Sequence, residues 1–297
     1  MRSDPSLSAI VVTFHTGPVL NACLDALLAD RACAQVIVVN NGNPLEVEQH
    51  LLARAAIEPR MLVLSGQGNI GFGRGCNLGA QAANGALLAF VNPDCVVAPD
   101  TLNRLVDVIY SEDPQSQLVL AGGDLRDELG HEQRGARRGP LSLRSALVSF
   151  TGFGRADEQA GILRDFNRNR EPMPTSPCDM PVVSGALMVT SASAFKDIGG
   201  FDPRFFLHVE DIDLCHRYWE AGGKVVFVPN ARATHQGATS DVSSWFVERA
   251  KINSFIHFFW KRANTFWSRL SVLAVVPWLA LAIILRTLLK NSRNIFK

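Results

Sequence analysis

The chain has 297 residues, 47% of them hydrophobic, so it can bury a full core and suits one large domain with an appendage better than two equal domains. Residues 249–297 carry nine Lys or Arg side chains and no Asp or Glu, whereas the rest carries 20 basic and 28 acidic side chains. A basic, apolar tail on an acidic body favours an anionic membrane surface as partner and argues against nucleic acid.

The first hundred residues alternate short apolar runs with helical patterns. The runs are rich in Val, Ile and Leu, as in strands that are buried on both faces. They are Ser8–Phe14, Gln35–Val39, Met61–Leu64 and Leu87–Val91. Helices are predicted at about Val19–Leu28, Glu46–Ala55, Gly75–Ala83 and Asp100–Ser111. Repeated β-α-β units predict an α/β fold with a doubly wound, mostly parallel sheet, which binds ligands at the carboxyl ends of its strands.

Each of these four strands ends in polar or glycine-rich residues, as a ligand crevice requires. The segments are Thr13–Gly17, Asn40–Asn43, Gly66–Gly75 and Asn92–Asp94. The third contains Gly66-x-Gly68-x-x-Gly71, a spacing found in dinucleotide-binding loops. Such a loop normally follows the first strand, with an acidic partner about 20 residues later, whereas Asp94 lies 28 residues after Gly66. Glycines that admit a phosphate or sugar close to the backbone therefore explain the segment better than a nicotinamide site, and a merely flexible loop is the remaining alternative.

The region from 124 to 179 is rich in Arg, Gly, Pro and charge and has weak periodicity. We expect a variable excursion on the binding face that shapes the site of a second substrate. Regular structure returns with a strand at Pro181–Thr190 and a helix near Ala192–Ile198. A further helix is predicted at about Glu210–Ala221 and a strand at Lys224–Val228.

Carboxylates and one histidine are candidates for chemistry in the predicted crevice. Asp94 ends a buried strand and can offer oxygen ligands to a divalent cation, although capping the next turn explains it equally well. Glu210 and Asp211 open a helix, where the helix dipole favours acids, but a carboxylate there can also act as general base for a hydroxyl. His235 follows a strand-like segment, and a structural or exposed histidine is the alternative to a metal ligand.

Taken together, the segments resemble the inverting family-2 glycosyltransferases, particularly the rhamnosyltransferase-like branch. The resemblance covers about residues 8–240 in the family's order. It rests on VVTFHTG, VIVVNNGN, GNIGFGRGCNLGA, LLAFVNPD, VSGALMVT, GGFDPRFFLHVEDIDLCHR and ATHQGATS. It implies a GT-A fold, a nucleotide-sugar donor and a metal ion, Mn²⁺ or Mg²⁺.

By this resemblance Asp211 is the catalytic base, while Asp94 and His235 hold the metal ion. The residues implied to bind the nucleotide-sugar are Thr13, His15, Asn41, Asn69, Arg74, Asn77, Asn92, Asp94 and Glu210. Relatives often carry an acid where this chain has Asn40 or Asn41, which leaves the identity of the nucleotide base open.

The branch suggests transfer of L-rhamnose from dTDP-rhamnose to a lipid-linked saccharide acceptor in cell-surface polysaccharide synthesis. A UDP-sugar donor is the alternative within the same fold. A nicotinamide-dependent oxidoreductase and a non-catalytic nucleotide-sugar sensor are the alternatives from different classes.

The C-terminal tail, residues 265–297, follows a glycosyltransferase domain predicted at residues 1–264. Leu270–Leu285 is a charge-free run of 16 residues, slightly short of the about 20 that span a membrane. An interfacial or shallowly inserted helix is favoured over a span, and a core helix or a homo-oligomer interface is the further alternative. Six scattered cysteines and the lack of an apolar leader indicate a reducing compartment, so we expect the cytoplasmic face of the cell membrane.

Overall fold

The computed structural model describes residues 6–112, 118–151, 165–237 and 242–295. The strands are β1 (Leu7–Thr13), β2 (Cys33–Asn40), β3 (Met61–Leu64), β4 (Leu87–Val91), β5 (Cys95–Val97), β6 (Val119–Arg126), β7 (Arg137–Arg138), β8 (Cys178–Asp179), β9 (Val182–Val183), β10 (Leu187–Ser191) and β11 (Lys224–His235). The helices are α1 (Val19–Ala29), α2 (Leu45–Ile57), α3 (Phe72–Ala82), α4 (Thr101–Glu112), α5 (Leu143–Thr151), α6 (Ala192–Asp197), α7 (Glu210–Glu220), α8 (Ser244–Arg262) and α9 (Phe266–Ile295).

A mixed sheet with helices on both faces forms the body of the chain. Its strand order is β3-β2-β1-β4-β10-β6-β11-β5, and β8 also pairs with β11. β1 runs parallel to β2 and β4, and β2 runs parallel to β3, as predicted. One apolar cluster lies between the sheet and α1, α2 and α4, and the other between the sheet and the remaining helices. The predicted doubly wound, mostly parallel α/β architecture is thus confirmed.

The glycine-rich segment after β3 is half loop and half helix. Helix α3 begins at Phe72, three residues before its predicted start. A Cβ atom on Gly75 would lie 2.8 Å from Val12, and one on Gly79 would lie 2.5 Å from Ile10. These glycines therefore allow α3 to pack closely on β1, and composition alone cannot separate them from the loop glycines before them.

Two strand predictions differ from the structure in the second half of the chain. The predicted strand Pro181–Thr190 is divided into β9 and β10, and β10 runs antiparallel between β4 and β6. The predicted strand Lys224–Val228 continues as β11 to His235, with a shift of register between Val228 and Arg232. Pro229 lies at this irregularity, where its missing N–H costs no ladder hydrogen bond.

The predicted excursion at 124–179 contains more regular structure than its composition suggests. It begins inside β6, a strand that the sequence pattern does not predict, and it includes β7, α5 and β8. Residues 152–164 of this region lie outside the described part of the chain.

The tail is one long helix that lies along the body. Helix α9 has 30 residues and continues through Pro277. Its Phe266–Leu285 segment has a mean hydropathy of 2.1 and is long and apolar enough to cross a membrane. Val272, Leu279 and Ile283 form a buried stripe in contact with the body, where α9 packs against α5 and α8. One side of α9 therefore packs on the domain, as the alternative of a core helix predicted, while its other side is exposed.

Candidate active site

Two clefts lie side by side at the carboxyl ends of the central strands. The first, of about 600 Å³, is lined by strand ends and by the glycine-rich segment, and we call it the strand-tip cleft. The second, of about 440 Å³, contains Asp211 and is called the Asp211 cleft. Both are lined by Phe72, Asn92, Leu207, His208, His235 and Lys251. Molecules bound in the two clefts would meet at this shared wall.

The pairing of β5 with β11 brings His235 of the shared wall next to Asp94 of the strand-tip cleft. His235 lies opposite Cys95 in this antiparallel pair. Its Nε2 is 3.1 Å from Asp94 Oδ1 and 3.3 Å from Asn92 Nδ2. On the other side of the ring, Gln133 Oε1 lies 2.6 Å from Nδ1, and Gln133 Nε2 donates to the His235 carbonyl oxygen. Gln133 therefore fixes the orientation of the imidazole and turns its Nε2 toward Asp94.

The donor set of this pair fits a divalent cation. When His235 donates its Nδ1 proton to Gln133, the Nε2 lone pair faces the Asp94 carboxylate, and a cation between the two would satisfy both. One oxygen and one nitrogen donor suit Mn²⁺ and also admit Mg²⁺. Among the described residues, no group of three or more His, Cys, Asp or Glu side chains is placed to hold an ion. Further ligands would come from other oxygen donors of the cleft, from a bound substrate or from water.

Asp211 is held in the second cleft by three donors. The Gly185 N–H donates to Oδ2 at 2.9 Å, the Ile212 N–H donates to Oδ1 at 2.8 Å, and Arg138 Nη2 donates to Oδ2. Burial raises the pKa of Asp211, but the charge of Arg138 and these hydrogen bonds outweigh it and lower the pKa below its ordinary value. Asp211 is therefore an ionised carboxylate at neutral pH, in a position to accept a proton.

The adjacent carboxyl of Glu210 has the opposite electrostatic environment. Its side chain is buried, and its Oε2 has no hydrogen-bond partner among the described residues. Burial and, next, the negative charge of Asp211 raise the pKa of Glu210. The surroundings thus shift the pKa values of the two neighbouring acids in opposite directions, and Asp211 is the one that carries the negative charge.

The backbone before α7 is strained where it presents these acids. His208 and Val209 have φ values of 66° and 71°, in the left-handed region that a β-branched residue rarely adopts. Such strain costs about 1–3 kcal/mol per residue and persists only where the surrounding structure imposes it. Across the cleft, a Cβ atom on Gly185 would lie 3.0 Å from the Asp211 Cβ, so a glycine there gives the acid room.

Asp213, the third acid of this segment, belongs to a separate ion network. It is fully buried and lies 2.9 Å from Arg217, 2.9 Å from Lys261 and 3.1 Å from Arg262. Two of these cations come from α8, so the network fixes α8 to α7, the helix that begins at Glu210. The partners of Asp213 therefore stabilise the fold, whereas Asp211 faces a cleft.

The first two strands contribute to two different cavities. Asn41 and Asn69 line the strand-tip cleft, where the Asn41 amide donates to Asn69 Oδ1 at 2.9 Å. Thr13 and His15 line a third cavity, of about 520 Å³, between the first turns of α1 and α2. The structure therefore brings Asn41, Asn69, Asn92 and Asp94 together, with Thr13 and His15 in the neighbouring cavity.

Comparison with known proteins identifies the family. Residues 5–252 match the sequence profile of glycosyltransferase like family 2. This chain belongs to that family. The family-2 membership expected from the motifs is thus confirmed.

Relatives of this family-2 glycosyltransferase include two rhamnosyltransferases. The N-acetylglucosaminyl-diphospho-decaprenol L-rhamnosyltransferase of Mycobacterium tuberculosis is 28% identical over 97% of this chain and 95% of its own length. Rhamnosyltransferase WbbL of Escherichia coli is 27% identical over 80% of this chain and 85% of its own length. The solved structure of GalNAc-T7 with UDP, GalNAc and Mn²⁺ matches 86% of this chain with a TM-score of 0.62 at 17% identity, and this chain spans 48% of that longer one. The chain therefore has the GT-A fold, as the resemblance implies.

Two residues expected to bind the nucleotide-sugar make backbone contacts in this family-2 glycosyltransferase. Arg74 Nε donates to the Pro203 carbonyl at 2.7 Å. The Asn77 side chain accepts from the Phe201 N–H at 2.9 Å and donates to the Phe201 carbonyl at 2.8 Å. Both side chains therefore tie α3 to the loop before the acids of α7.

Several polar residues of the site are not among the sequence candidates, and they include Gln133, Arg138 and Lys251. Each lines the Asp211 cleft. Gln133 and Arg138 lie in the arginine- and glycine-rich segment, whose composition signals charge but not which side chain points inward. Lys251 lies in the basic segment 249–297. Charge alone does not distinguish a lysine near a membrane from a lysine that lines a cleft.

Proposed function

We propose that this chain is an inverting glycosyltransferase that moves L-rhamnose from dTDP-rhamnose to a lipid-linked saccharide in cell-surface polysaccharide synthesis. The observation that carries the proposal is the shared wall, where Asp94 and His235 of the strand-tip cleft adjoin the cleft of Asp211. The names of the two rhamnosyltransferases support the sugar, and the diphospho-decaprenol in the first name supports a lipid-linked acceptor. The UDP in the GalNAc-T7 structure makes a UDP-sugar the second candidate donor.

The proposed chemistry uses both clefts. Asn41 and Asn69 would bind the donor in the strand-tip cleft with its diphosphate toward Asp94 and His235. These two residues would hold Mn²⁺ or Mg²⁺, which when bound neutralises the charge that develops on the leaving diphosphate. Asp211 takes the proton of the acceptor hydroxyl while the hydroxyl oxygen forms a bond to the anomeric carbon. The bond from that carbon to the diphosphate oxygen breaks, its electron pair leaves with the nucleoside diphosphate, and the configuration inverts.

Transfer should be tested with a matched loss of the proposed base. Wild type and Asp211→Asn are incubated with dTDP-, UDP- or GDP-sugars, Mn²⁺ and a short-chain lipid-linked acceptor, while thermal shifts report donor binding. We expect transfer from dTDP-rhamnose, at least 100-fold less of it with Asp211→Asn, and nearly unchanged donor binding. Residual activity within tenfold of wild type would exclude Asp211 as the base. Stabilisation by a UDP-sugar and by no dTDP-sugar would overturn the proposed donor.

The tail would hold the enzyme peripherally, or shallowly inserted, at the cytoplasmic face of the membrane. Phe266, Trp267, Leu273 and Trp278 are exposed on α9, although its opposite stripe packs on the body. A helix fixed lengthwise to the domain suits a position in the plane of the interface. Each Lys or Arg near an anionic leaflet adds about 1 kcal/mol of attraction.

Charges placed on the exposed side of α9 test this membrane contact without removing its buried stripe. Leu273→Glu combined with Trp278→Glu should release the protein from anionic vesicles, leave the melting temperature unchanged and spare transfer to a soluble acceptor. Ile57→Glu is the control, because Ile57 is also exposed but lies on α2. Truncation before Phe266 should release the protein as well. Unchanged vesicle binding, or a change of oligomeric state in place of release, would contradict the membrane contact.

A further inference from the structure

Asp211, the base of the proposed reaction, is already paired with Arg138. Arg138 lies on β7, and its Nη2 donates to Asp211 Oδ2 and, at 3.0 Å, to the Val183 carbonyl. Both side chains are largely buried, with 11% and 13% of their surface exposed, and both line the Asp211 cleft. Little solvent screens the pair, so the charge of Arg138 strongly affects the proton affinity of Asp211.

A carboxylate paired in this way is a weak base. The arginine lowers the proton affinity of Asp211, which is the opposite of what general base catalysis requires. If Arg138 left, Asp211 would keep the N–H donors of Gly185 and Ile212, at 2.9 Å and 2.8 Å. The carboxylate would therefore stay oriented toward the cleft while its affinity for a proton increased.

The cleft offers a reason for Arg138 to change partners when an anion enters. Arg134 and Lys251 line the same cleft, so three cationic side chains face it. Arg134 also pairs with Asp165, and Lys251 with Glu248. The acids that line the cleft itself are Asp211 and Glu210, and burial favours the neutral form of Glu210. The Arg138 Nε is buried and has no hydrogen-bond partner among the described residues, so the guanidinium has an unused donor. A phosphate group would accept from several of these donors at once.

The wall of the cleft is also the place where the tail meets the body. Phe150 of α5 and Phe255 of α8 line the cleft, and their ring centroids are 5.3 Å apart. Helix α9 packs against these same two helices. An acceptor whose sugar is joined to a lipid through phosphate would therefore place its phosphate between the apolar tail and Asp211.

We infer that Arg138 is a positioning residue that binds the phosphate attached to the acceptor sugar, and that this exchange of partners frees Asp211 to accept the hydroxyl proton. The inference rests on the proposed transfer reaction. It makes the acceptor phosphate a condition for activation of the base as well as a contributor to binding.

The experiment compares two acceptors that differ only in phosphate. One is the acceptor sugar on a short prenyl diphosphate, and the other is a phosphate-free alkyl glycoside of the same sugar. In wild type we expect kcat to be at least tenfold higher with the diphosphate. In Arg138→Gln this ratio should fall at least tenfold, because transfer to the glycoside is retained or rises while transfer to the diphosphate falls. Arg138→Lys, which keeps the charge, should give an intermediate ratio.

The matched control is Arg54→Gln, which removes a guanidinium from another aspartate pair: Arg54 of α2 lies 2.5 Å from Asp25 of α1. It should leave the ratio unchanged. A purely structural role of Arg138 would lower both rates by the same factor, and that result with either Arg138 variant overturns the inference, as does a wild type without preference. Transfer to neither acceptor by wild type would instead contradict the proposed function itself.

Discussion

Removal of the Gln133 side chain should weaken metal binding without touching either proposed metal ligand. Gln133→Ala deletes both hydrogen bonds that orient His235, the 2.6 Å contact at Nδ1 and the donation to the His235 carbonyl. The first contributes about 0.5–1.5 kcal/mol toward the tautomer with a free Nε2. Loss of such an orienting partner typically lowers metal affinity about 10–100-fold. We therefore expect the half-saturating Mn²⁺ concentration to rise by this factor, which corresponds to about 1.4–2.7 kcal/mol.

The measurement is a Mn²⁺ titration of the thermal shift produced by a fixed nucleoside diphosphate. At saturating Mn²⁺ the shift should return to the wild-type value, because the ligands themselves are intact. Gln236→Ala is the control, since this neighbouring glutamine donates to Glu128 at 2.8 Å. A half-saturating concentration within twofold of wild type for Gln133→Ala, or an equal rise in the control, would refute the proposed role.

Asp94→Ala and His235→Ala should each weaken Mn²⁺-dependent nucleotide binding, and the double variant should lose less than the sum, because both would hold one ion. Unchanged activity after addition of a chelator would contradict this assignment. Asp213→Asn should lower the free energy of unfolding in urea by about 1.5–3 kcal/mol, because it removes the buried charge that three partly exposed cations share, although Lys261 keeps Asp202 as a partner. Burial raises the pKa of Asp213, but its cationic partners outweigh it and lower the pKa, so the stability difference should shrink as the pH falls below about 4. A stability difference between wild type and Asp213→Asn that grows in acid would contradict a lowered pKa of Asp213.

The sequence by itself determines the first half of the fold and several strand ends that line one cleft. Runs such as Leu87–Val91 are apolar at every position because their strands are buried on both faces, so a simple pattern identifies them. In a parallel sheet the strand ends share one edge, and Asn41, Asn69 and Asp94 therefore lie in one cleft. Local periodicity and strand direction were sufficient for these predictions.

Only the tertiary structure decides which side chains become partners. Gln133 meets His235 across 102 residues of sequence, and Arg138 meets Asp211 across 73. Both contacts depend on short segments that have no period of their own, such as β7, which is held by antiparallel pairing with β9. The difference between Asp211, which faces a cleft, and Asp213, which lies in an ion network, has the same origin. These two acids of one helix turn contact different neighbours. A local pattern encodes burial and direction, whereas proton affinity depends on charges that only folding brings within a few ångströms.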